Sequence, residues 1–202
     1  MLAVFLYCTP HDIQAKVDGN KVQSILILGD SLSAEYGLAK GTGWVNLLTE
    51  RLRANQFSPI IINASISGET TSGGIQRLPS LLNQHKPNLL IIELGGNDAL
   101  RGLSLEVTKS NLEAMINLAR KYNCKVILLG MQIPTNYGKK YSQDFKSIYG
   151  DLAKSQKVEL VPFFLEGVAL DPKLFQADRI HPNEAAQKKL TDNVWVVLKK
   201  LL

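Results

Sequence analysis

The sequence predicts a single α/β domain in which helices cover both faces of a parallel sheet. Five short runs, four of them apolar nearly throughout, alternate with longer stretches in which apolar residues recur at helical spacing. Short continuous apolar runs are typical of strands buried on both faces of a parallel sheet. The alternation of strand and helix favours a doubly wound fold with right-handed crossovers.

The predicted strands span residues 24–28, 59–62, 89–92, 126–129 and 158–161. Four stretches are predicted as helices because each has one apolar face at a spacing of about 3.6 residues. Pro182 is expected in the first turn of the last of these helices. The four apolar faces consist of Trp44, Leu47, Leu48 and Leu52; Leu105, Leu112, Met115, Ile116 and Ala119; Phe145, Ile148, Tyr149 and Leu152; and Leu190, Val194, Val197, Leu198 and Leu201.

Length and composition exclude several classes of protein. A chain of 202 residues with 45% hydrophobic and 20% charged residues is ordinary for one folded domain, not for a disordered chain, collagen or coiled coil. Two cysteines, Cys8 and Cys124, are too few for a disulfide scaffold or a Cys-rich zinc protein. The longest apolar run is far shorter than the roughly 20 residues that span a bilayer, so no transmembrane helix is expected.

Charge and the N-terminal segment bear on partners and location. The net charge of +5 favours solubility, and a second interpretation is attraction to an anionic partner. Nucleic acid is not an expected partner, because the lysine pairs are scattered without interleaved aromatic residues.

Residues 1–8 are apolar, and we interpret residues 1–21 as an N-terminal segment, either the remnant of an export signal or a strand or frayed terminus. Residues 22–202 form the single predicted domain.

Small and polar residues follow four consecutive predicted strands. Residues 29–33 read GDSLS, residues 63–70 read NASISGET, residues 95–98 read GGND and residues 130–134 read GMQIP. Ligands of a doubly wound sheet bind beyond the carboxyl ends of its strands. The site is therefore predicted at this edge.

A nucleophile and a base can be assigned from these segments. Ser31 lies where the chain leaves the first strand and is the best candidate nucleophile. Of the histidines His11, His85 and His181, only His181 follows a carboxylate, Asp178, by three residues on a tight segment. Asp178 can fix the imidazole tautomer and leave the second ring nitrogen free as a base.

A tetrahedral oxyanion also needs hydrogen-bond donors. The candidates are the Ser31 and Gly68 N–H groups and the side-chain amide of Asn97. Other site types are unsupported: the chain has neither the G-x-S-x-G nucleophile elbow nor a G-x-G-x-x-G after the first strand. Neither a metal nor another cofactor is expected, because no second histidine and carboxylate accompany the site segments.

These blocks resemble the GDSL, or SGNH, hydrolase family. Its four name-giving residues match Ser31, Gly68, Asn97 and His181, with Asp178 in the family's D-x-x-H position. Within the family, the chain is similar to the thioesterase I / protease I / lysophospholipase L1 (arylesterase) group from about residue 24 to the C-terminus. The segments that carry this similarity are GDSLSAEYGL, NASISGETTSGGIQRLPSLL, ELGGNDALRG, MQIPTNYGKKY, VPFFLEGVA and DRIHPNEAAQ.

The resemblance implies a flavodoxin-like three-layer α/β/α sandwich with a five-stranded parallel sheet. It implies hydrolysis of acyl esters and thioesters, such as lysophospholipids, acyl-CoA and aryl esters, by a monomer that contacts lipids transiently. It also implies a periplasmic or otherwise exported location, with the cytoplasm as the alternative. Glu35 departs from the group, where small residues are common at this position, and we expect its carboxylate to affect the entry of anionic substrates.

The acyl chain needs an apolar trough. Candidates in the second and third blocks are Ile75, Leu78, Pro79 and Leu100, and the resemblance favours the segment 75–79. Two alternatives remain open: a small-ester or carbohydrate deacetylase on the same scaffold, and a binding protein without catalytic activity.

Overall fold

The coordinates, a computed structural model, describe residues 22–202. The interpretation of residues 1–21 as a separate N-terminal segment concerns residues outside the described part. Among the helices described, none combines the length and apolar character needed to cross a membrane.

Five strands form one sheet in the order β2-β1-β3-β4-β5, and every neighbouring pair is parallel. The order reverses between β1 and β3, the switch point at which doubly wound sheets bind ligands. The predicted doubly wound sheet is thereby confirmed, and no strand end differs from its predicted position by more than one residue. The strands are β1 (Ser24–Gly29), β2 (Ile60–Asn63), β3 (Leu89–Glu93), β4 (Lys125–Leu129) and β5 (Glu159–Val161).

Helices cover the sheet in two layers, because α1 packs against α6, whereas α4 contacts both α2 and α5. Two short 3₁₀ turns, Thr135–Tyr137 and Pro172–Leu174, lie in the loops. The helices are α1 (Trp44–Ala54), α2 (Thr71–His85), α3 (Gly96–Leu100), α4 (Leu105–Lys121), α5 (Lys139–Gln156) and α6 (Glu184–Leu198).

Helix α2 was not among the four predicted helices, because Gly73, Gly74 and Pro79 interrupt the helical pattern with residues that favour turns. Thr70 caps the helix by accepting a hydrogen bond from the Gly73 N–H. Gly74 packs so closely on the sheet that a Cβ there would lie 2.4 Å from Leu94 Cδ1. Tertiary packing therefore outweighs local propensity in this segment.

Three smaller expectations are wrong. Pro182 precedes the N-cap Asn183 of α6 instead of lying in its first turn, and Leu201 lies beyond the end of α6. Strand β2 is not buried on both faces, since the side chain of Ile60 is 68% exposed. Among the strands of residues 22–202, β2 is at an edge of the sheet and has a neighbour on one flank only, whereas all residues of the central β3 are buried.

Candidate active site

Ser31 lies directly beyond β1, at the carboxyl edge of the sheet next to the switch point. Its Oγ lies 2.9 Å from Nε2 of His181, which is 150 positions later in the chain. The other imidazole nitrogen, Nδ1, lies 2.7 Å from Oδ2 of Asp178. The fold thus brings together the three residues that the sequence singles out as nucleophile, base and orienting carboxylate.

The segment that carries Asp178 and His181 is an exposed loop held by local hydrogen bonds. Oδ1 of Asp178 accepts from the N–H groups of Ile180 and His181, at 2.9 and 3.0 Å. The Gln176 N–H donates to the His181 carbonyl, and the Gln176 side chain donates to the Tyr36 carbonyl, each at 2.8 Å. The Gln176 side chain therefore links this loop to the loop that follows Ser31.

The carboxylate of Asp178 is held in its charged form. Burial alone would raise the pKa of Asp178, but hydrogen bonds from the backbone and ring of His181 and the backbone of Ile180 lower that pKa to about 2. An ionised Asp178 keeps the proton of the imidazole on Nδ1, which leaves Nε2 free to accept the Ser31 hydroxyl proton.

Three hydrogen-bond donors remain available for an oxyanion. Within residues 22–202, neither the Ser31 N–H nor the Gly68 N–H has an acceptor. Gly68 has a φ of +78°, a conformation that glycine adopts without strain. The Asn97 amide uses one N–H in a 2.9 Å hydrogen bond to Asp30 Oδ2, so its second N–H is free to donate elsewhere.

Asp30 orients the oxyanion amide and the nucleophile loop together. It is 3% exposed, and its Oδ1 accepts from the Leu32 N–H at 3.0 Å while Oδ2 accepts from Asn97. Burial raises the pKa of Asp30 to about 6, and the hydrogen bond from Leu32 partly offsets that rise. The motif GDS thus contributes a buried carboxylate in addition to its serine.

The loop that carries Gly68 and the short helix α3 that carries Asn97 are fastened to each other by hydrogen bonds. The Thr71 N–H and hydroxyl donate to the buried carboxylate of Asp98, at 2.9 and 2.5 Å. Arg101 Nη2 donates to the Gly68 carbonyl at 2.9 Å. The Ile66 N–H donates to the Gly29 carbonyl at 3.0 Å and so ties the loop after β2 to the end of β1. These bonds fix the peptide that presents the Gly68 N–H.

The structure buries one of the four candidates for the predicted acyl trough. Leu78 is 0% exposed and packs in the hydrophobic core, so it does not line an open trough. Pro79 is exposed on α2, about 12 Å along the helix axis from Thr71, because each residue of a helix rises by about 1.5 Å. Ile75 and Leu100 are half-buried against the core, and their contact with substrate stays a prediction.

The hydrogen bonds of Glu35 also argue against its expected effect on the entry of anionic substrates. Its carboxylate turns into its own loop, where it accepts from the Gly43 N–H and the Asn46 amide, each at 2.7 Å, and from the Gly41 N–H at 3.1 Å. Gly43 is the N-cap of α1 and has no capping side chain of its own. The Glu35 carboxylate supplies that cap, and the hydrogen bonds offset a left-handed φ of +58°.

Sequence reasoning missed one aromatic contact in the site. Tyr36 is 51% exposed, and its ring centroid lies 4.4 Å from that of His181, with the planes tilted by 40°. Tyr36 covers one face of the imidazole while remaining accessible from solvent. An aromatic residue five positions after the candidate nucleophile was the available signal.

Comparisons with known proteins agree with this geometry. A model of the GDSL-like lipase/acylhydrolase family matches residues 27–189. Esterase TesA of Pseudomonas aeruginosa is 50% identical over 180 residues, which make up 89% of this chain and 90% of that protein. Thioesterase 1/protease 1/lysophospholipase L1 of Escherichia coli K12 is 43% identical over 169 residues, 84% of this chain and 80% of that protein.

The fold comparison gives the same result. The crystal structure of a protein named TesA matches with a TM-score of 0.87 at 50% identity, covering 89% of this chain and all of that one. The chain therefore belongs to the GDSL-like lipase/acylhydrolase family. The family and the SGNH hydrolase fold expected from the sequence are confirmed, as is the enzyme class of ester hydrolase.

Proposed function

We propose that this enzyme cleaves acyl esters and thioesters through an acyl-enzyme formed on Ser31. The observation that carries the proposal is the continuous contact from Ser31 Oγ to His181 Nε2, at 2.9 Å, and from His181 Nδ1 to Asp178, at 2.7 Å. A serine within hydrogen-bond reach of a base, itself oriented by a carboxylate, is the arrangement that activates a hydroxyl for nucleophilic attack.

In the first half-reaction, Ser31 Oγ attacks the acyl carbonyl and His181 Nε2 takes the hydroxyl proton. Asp178 holds the ring and stabilises its charged form. The Ser31 and Gly68 N–H groups and the free N–H of Asn97 stabilise the oxyanion. His181 then gives the proton to the leaving alcohol or thiol, and water releases the acyl group by the same steps in reverse.

For substrate class, we propose lysophospholipids, acyl-CoA and aryl esters. The names of the relatives support this choice, since one is called an esterase and another a thioesterase and lysophospholipase. The half-buried Ile75 and Leu100 and the exposed Pro79 stay candidates for the predicted trough. A monomeric state and an exported, periplasmic location stay predictions that rest on the family resemblance and on the apolar residues 1–8.

The test is a series of p-nitrophenyl esters from C2 to C16, assayed on wild type, Ser31→Ala and the control Ser110→Ala. Ser110 is an exposed serine on α4 and has no part in the proposed mechanism. Loss of Ser31 should lower kcat by up to about 10⁶-fold, and a fluorophosphonate probe should label wild type and Ser110→Ala but not Ser31→Ala.

The chain-length optimum decides the substrate class. An optimum at medium or long chains supports lipid-like acyl groups, and lysophospholipids and acyl-CoA are then assayed directly. An optimum at acetyl contradicts that class and favours a deacetylase. Equal activity of wild type and Ser31→Ala contradicts the mechanism itself.

A further inference from the structure

A second carboxyl group lies beneath the nucleophile loop. Glu93 is the last residue of β3 and follows four apolar residues of that strand. Its side chain is 0% exposed. Burying an ionised carboxylate costs a large free energy unless the charge is paired, and no cation contacts Glu93 among the residues described. The burial of Glu93 is therefore unfavourable unless its carboxyl group makes contacts that the fold or the site needs.

Glu93 contacts the chain on both sides of Ser31. Its Oε2 accepts from the Asp30 N–H at 3.2 Å and from the Ser33 hydroxyl at 2.8 Å. Trp44 Nε1 in turn donates to Ser33 Oγ at 3.2 Å. One carboxyl oxygen therefore fixes the residue before the nucleophile and the residue two after it, while the base lies on a separate loop.

The chain bends tightly around this carboxyl group because Gly29 has no side chain. A Cβ at Gly29 would lie 2.8 Å from Glu93 Oε2 and 2.7 Å from Ser33 Oγ. Both distances are shorter than real Cβ contacts, so a larger residue would push the loop off Glu93. The first residue of the GDSL motif thus permits the contact.

Glu93 also acts on the oxyanion amide through Asp30. The Glu93 and Asp30 carboxyl groups are close enough for each to affect the ionisation of the other. Asp30 Oδ2 is the acceptor that orients Asn97. Contacts therefore connect Glu93 through Asp30 to Asn97, a proposed oxyanion donor. They are additional to the contacts that Glu93 makes on both sides of Ser31.

We propose that Glu93 is a positioning residue which, as a neutral carboxylic acid, holds the Ser31 loop and the Asp30–Asn97 pair in one fixed geometry. The inference rests on the proposed function, since it concerns the same serine and amide. Glu93 contacts neither substrate nor reacting atoms in the proposed mechanism, so it acts only through Asp30 and Ser33.

Glu93 is neutral because of the groups that surround the Glu93 and Asp30 carboxyls. Burial raises the pKa of Glu93 well above its ordinary value, and the neighbouring Asp30 raises that pKa further. Two further titratable groups act on these two carboxyls. They are His181, whose charge acts on Asp30, and the buried hydroxyl of Tyr149 on α5. Two carboxylates in one dry site do not both ionise, so the single negative charge resides on Asp30.

The test compares Glu93→Gln and Glu93→Leu with wild type. Glutamine is neutral and its side-chain oxygen accepts the same two hydrogen bonds, so Glu93→Gln should keep most of kcat. Leucine accepts none, and misplacement of the catalytic groups by about 1 Å should lower kcat by on the order of 100-fold with little change in KM. Ile91→Ala, on the same strand and face, is the control for a cavity in the core.

A second readout separates positioning from general support of the fold. The folded state binds the Glu93 proton more tightly than the unfolded chain does, so stability is lost as pH rises above the ordinary pKa of a glutamate. Glu93→Gln abolishes this part of the pH dependence. Urea unfolding of wild type and Glu93→Gln at pH 5 and pH 8 measures the Glu93 contribution to this pH dependence. The measurement is possible even if Glu93→Leu does not fold.

The outcomes distinguish this proposal from the proposed function. If Ser31→Ala is inactive but Glu93→Leu has wild-type kcat, positioning by Glu93 is wrong and the triad stands. If Glu93→Gln loses as much kcat as Glu93→Leu, the neutral form is wrong, because the charge is then required. If Ile91→Ala lowers kcat as much as Glu93→Leu, the effect is general destabilisation and the proposal fails.

Discussion

Asp30 and Asp178 belong to one site but have opposite surroundings. Asp30 is buried at the end of a central strand, and burial raises its pKa to about 6. Asp178 lies on an exposed loop, where hydrogen bonds from His181 and Ile180 outweigh the effect of burial and lower its pKa to about 2. The nucleophile loop and the oxyanion amide are thus held by a buried carboxylate, whereas the base is held by a carboxylate on an exposed loop.

This difference shows how one site divides its tasks. A group in the core is positioned by many contacts, so its replacement disturbs geometry and stability together. A group on the exposed loop is positioned by a few hydrogen bonds, so its replacement changes the chemistry with little effect on the fold. The predictions below test this division, beginning with the largest expected effect.

Asp178→Asn should lower kcat by about 10⁴-fold, because an amide no longer fixes the His181 tautomer or stabilises its charged form. The thermal midpoint at neutral pH should fall only modestly, because the amide oxygen can still accept the loop hydrogen bonds although the stabilising charge of Asp178 is lost. Steady-state kinetics on a p-nitrophenyl ester, together with thermal unfolding, make the comparison. Loss of the folded state in Asp178→Asn would contradict the view that this exposed loop contributes little to stability.

Asn97→Ala should lower kcat by roughly 100- to 1,000-fold with a much smaller change in KM, because an oxyanion donor acts mainly in the transition state. Full activity would exclude Asn97 from the oxyanion hole. The stability of the same variant is measured by urea unfolding. It should fall more than that of Asp178→Asn, because Asn97 also satisfies the buried Asp30.

Asp30 and Asp178 should change the free energy of unfolding with pH in opposite directions. The folded state binds the Asp30 proton more tightly than the unfolded chain, so this group adds stability as pH falls from about 6 to about 4, by up to about 1.4 kcal/mol per pH unit. The lowered pKa of Asp178 has the reverse effect, a loss of stability as pH falls from about 4 towards 2.

Urea unfolding between pH 3 and pH 7 tests both signs. Asp30→Asn should lack the Asp30 part of the gain on acidification, and Asp178→Asn should lack the loss. Glu93→Gln is measured alongside because Glu93 adds to the same wild-type slope as Asp30. Identical slopes in wild type and Asp30→Asn would show that Asp30 is not the buried charge.

The smallest expected effect concerns Glu35. Glu35→Ala removes the carboxylate that caps α1 and should lower the free energy of unfolding by about 1 kcal/mol. The KM for acyl-CoA should not change, because the carboxylate is turned into its own loop. A lower KM for the anionic thioester, with no change for a neutral ester, would restore a role for Glu35 at the entrance.

The sequence by itself determined the strands and the catalytic candidates. Short runs placed all five strands to within one residue, and in β1, β3 and β4 the apolar pattern reflects burial on both faces of the parallel sheet. The polar segments beyond those runs located Ser31, Gly68 and Asn97, and one histidine with a nearby carboxylate selected His181 and Asp178. Each of these signals is local, so a single sequence contains it.

The tertiary structure alone decided the contacts between distant segments. It showed α2 as a helix despite its glycines and proline, and it placed Leu78 in the core. It brought Glu93 beneath a loop that begins 63 positions earlier in the chain, where a charged residue after an apolar run was the only trace in the sequence. Packing and long-range hydrogen bonds depend on which segments meet in space, and local propensity does not contain that information.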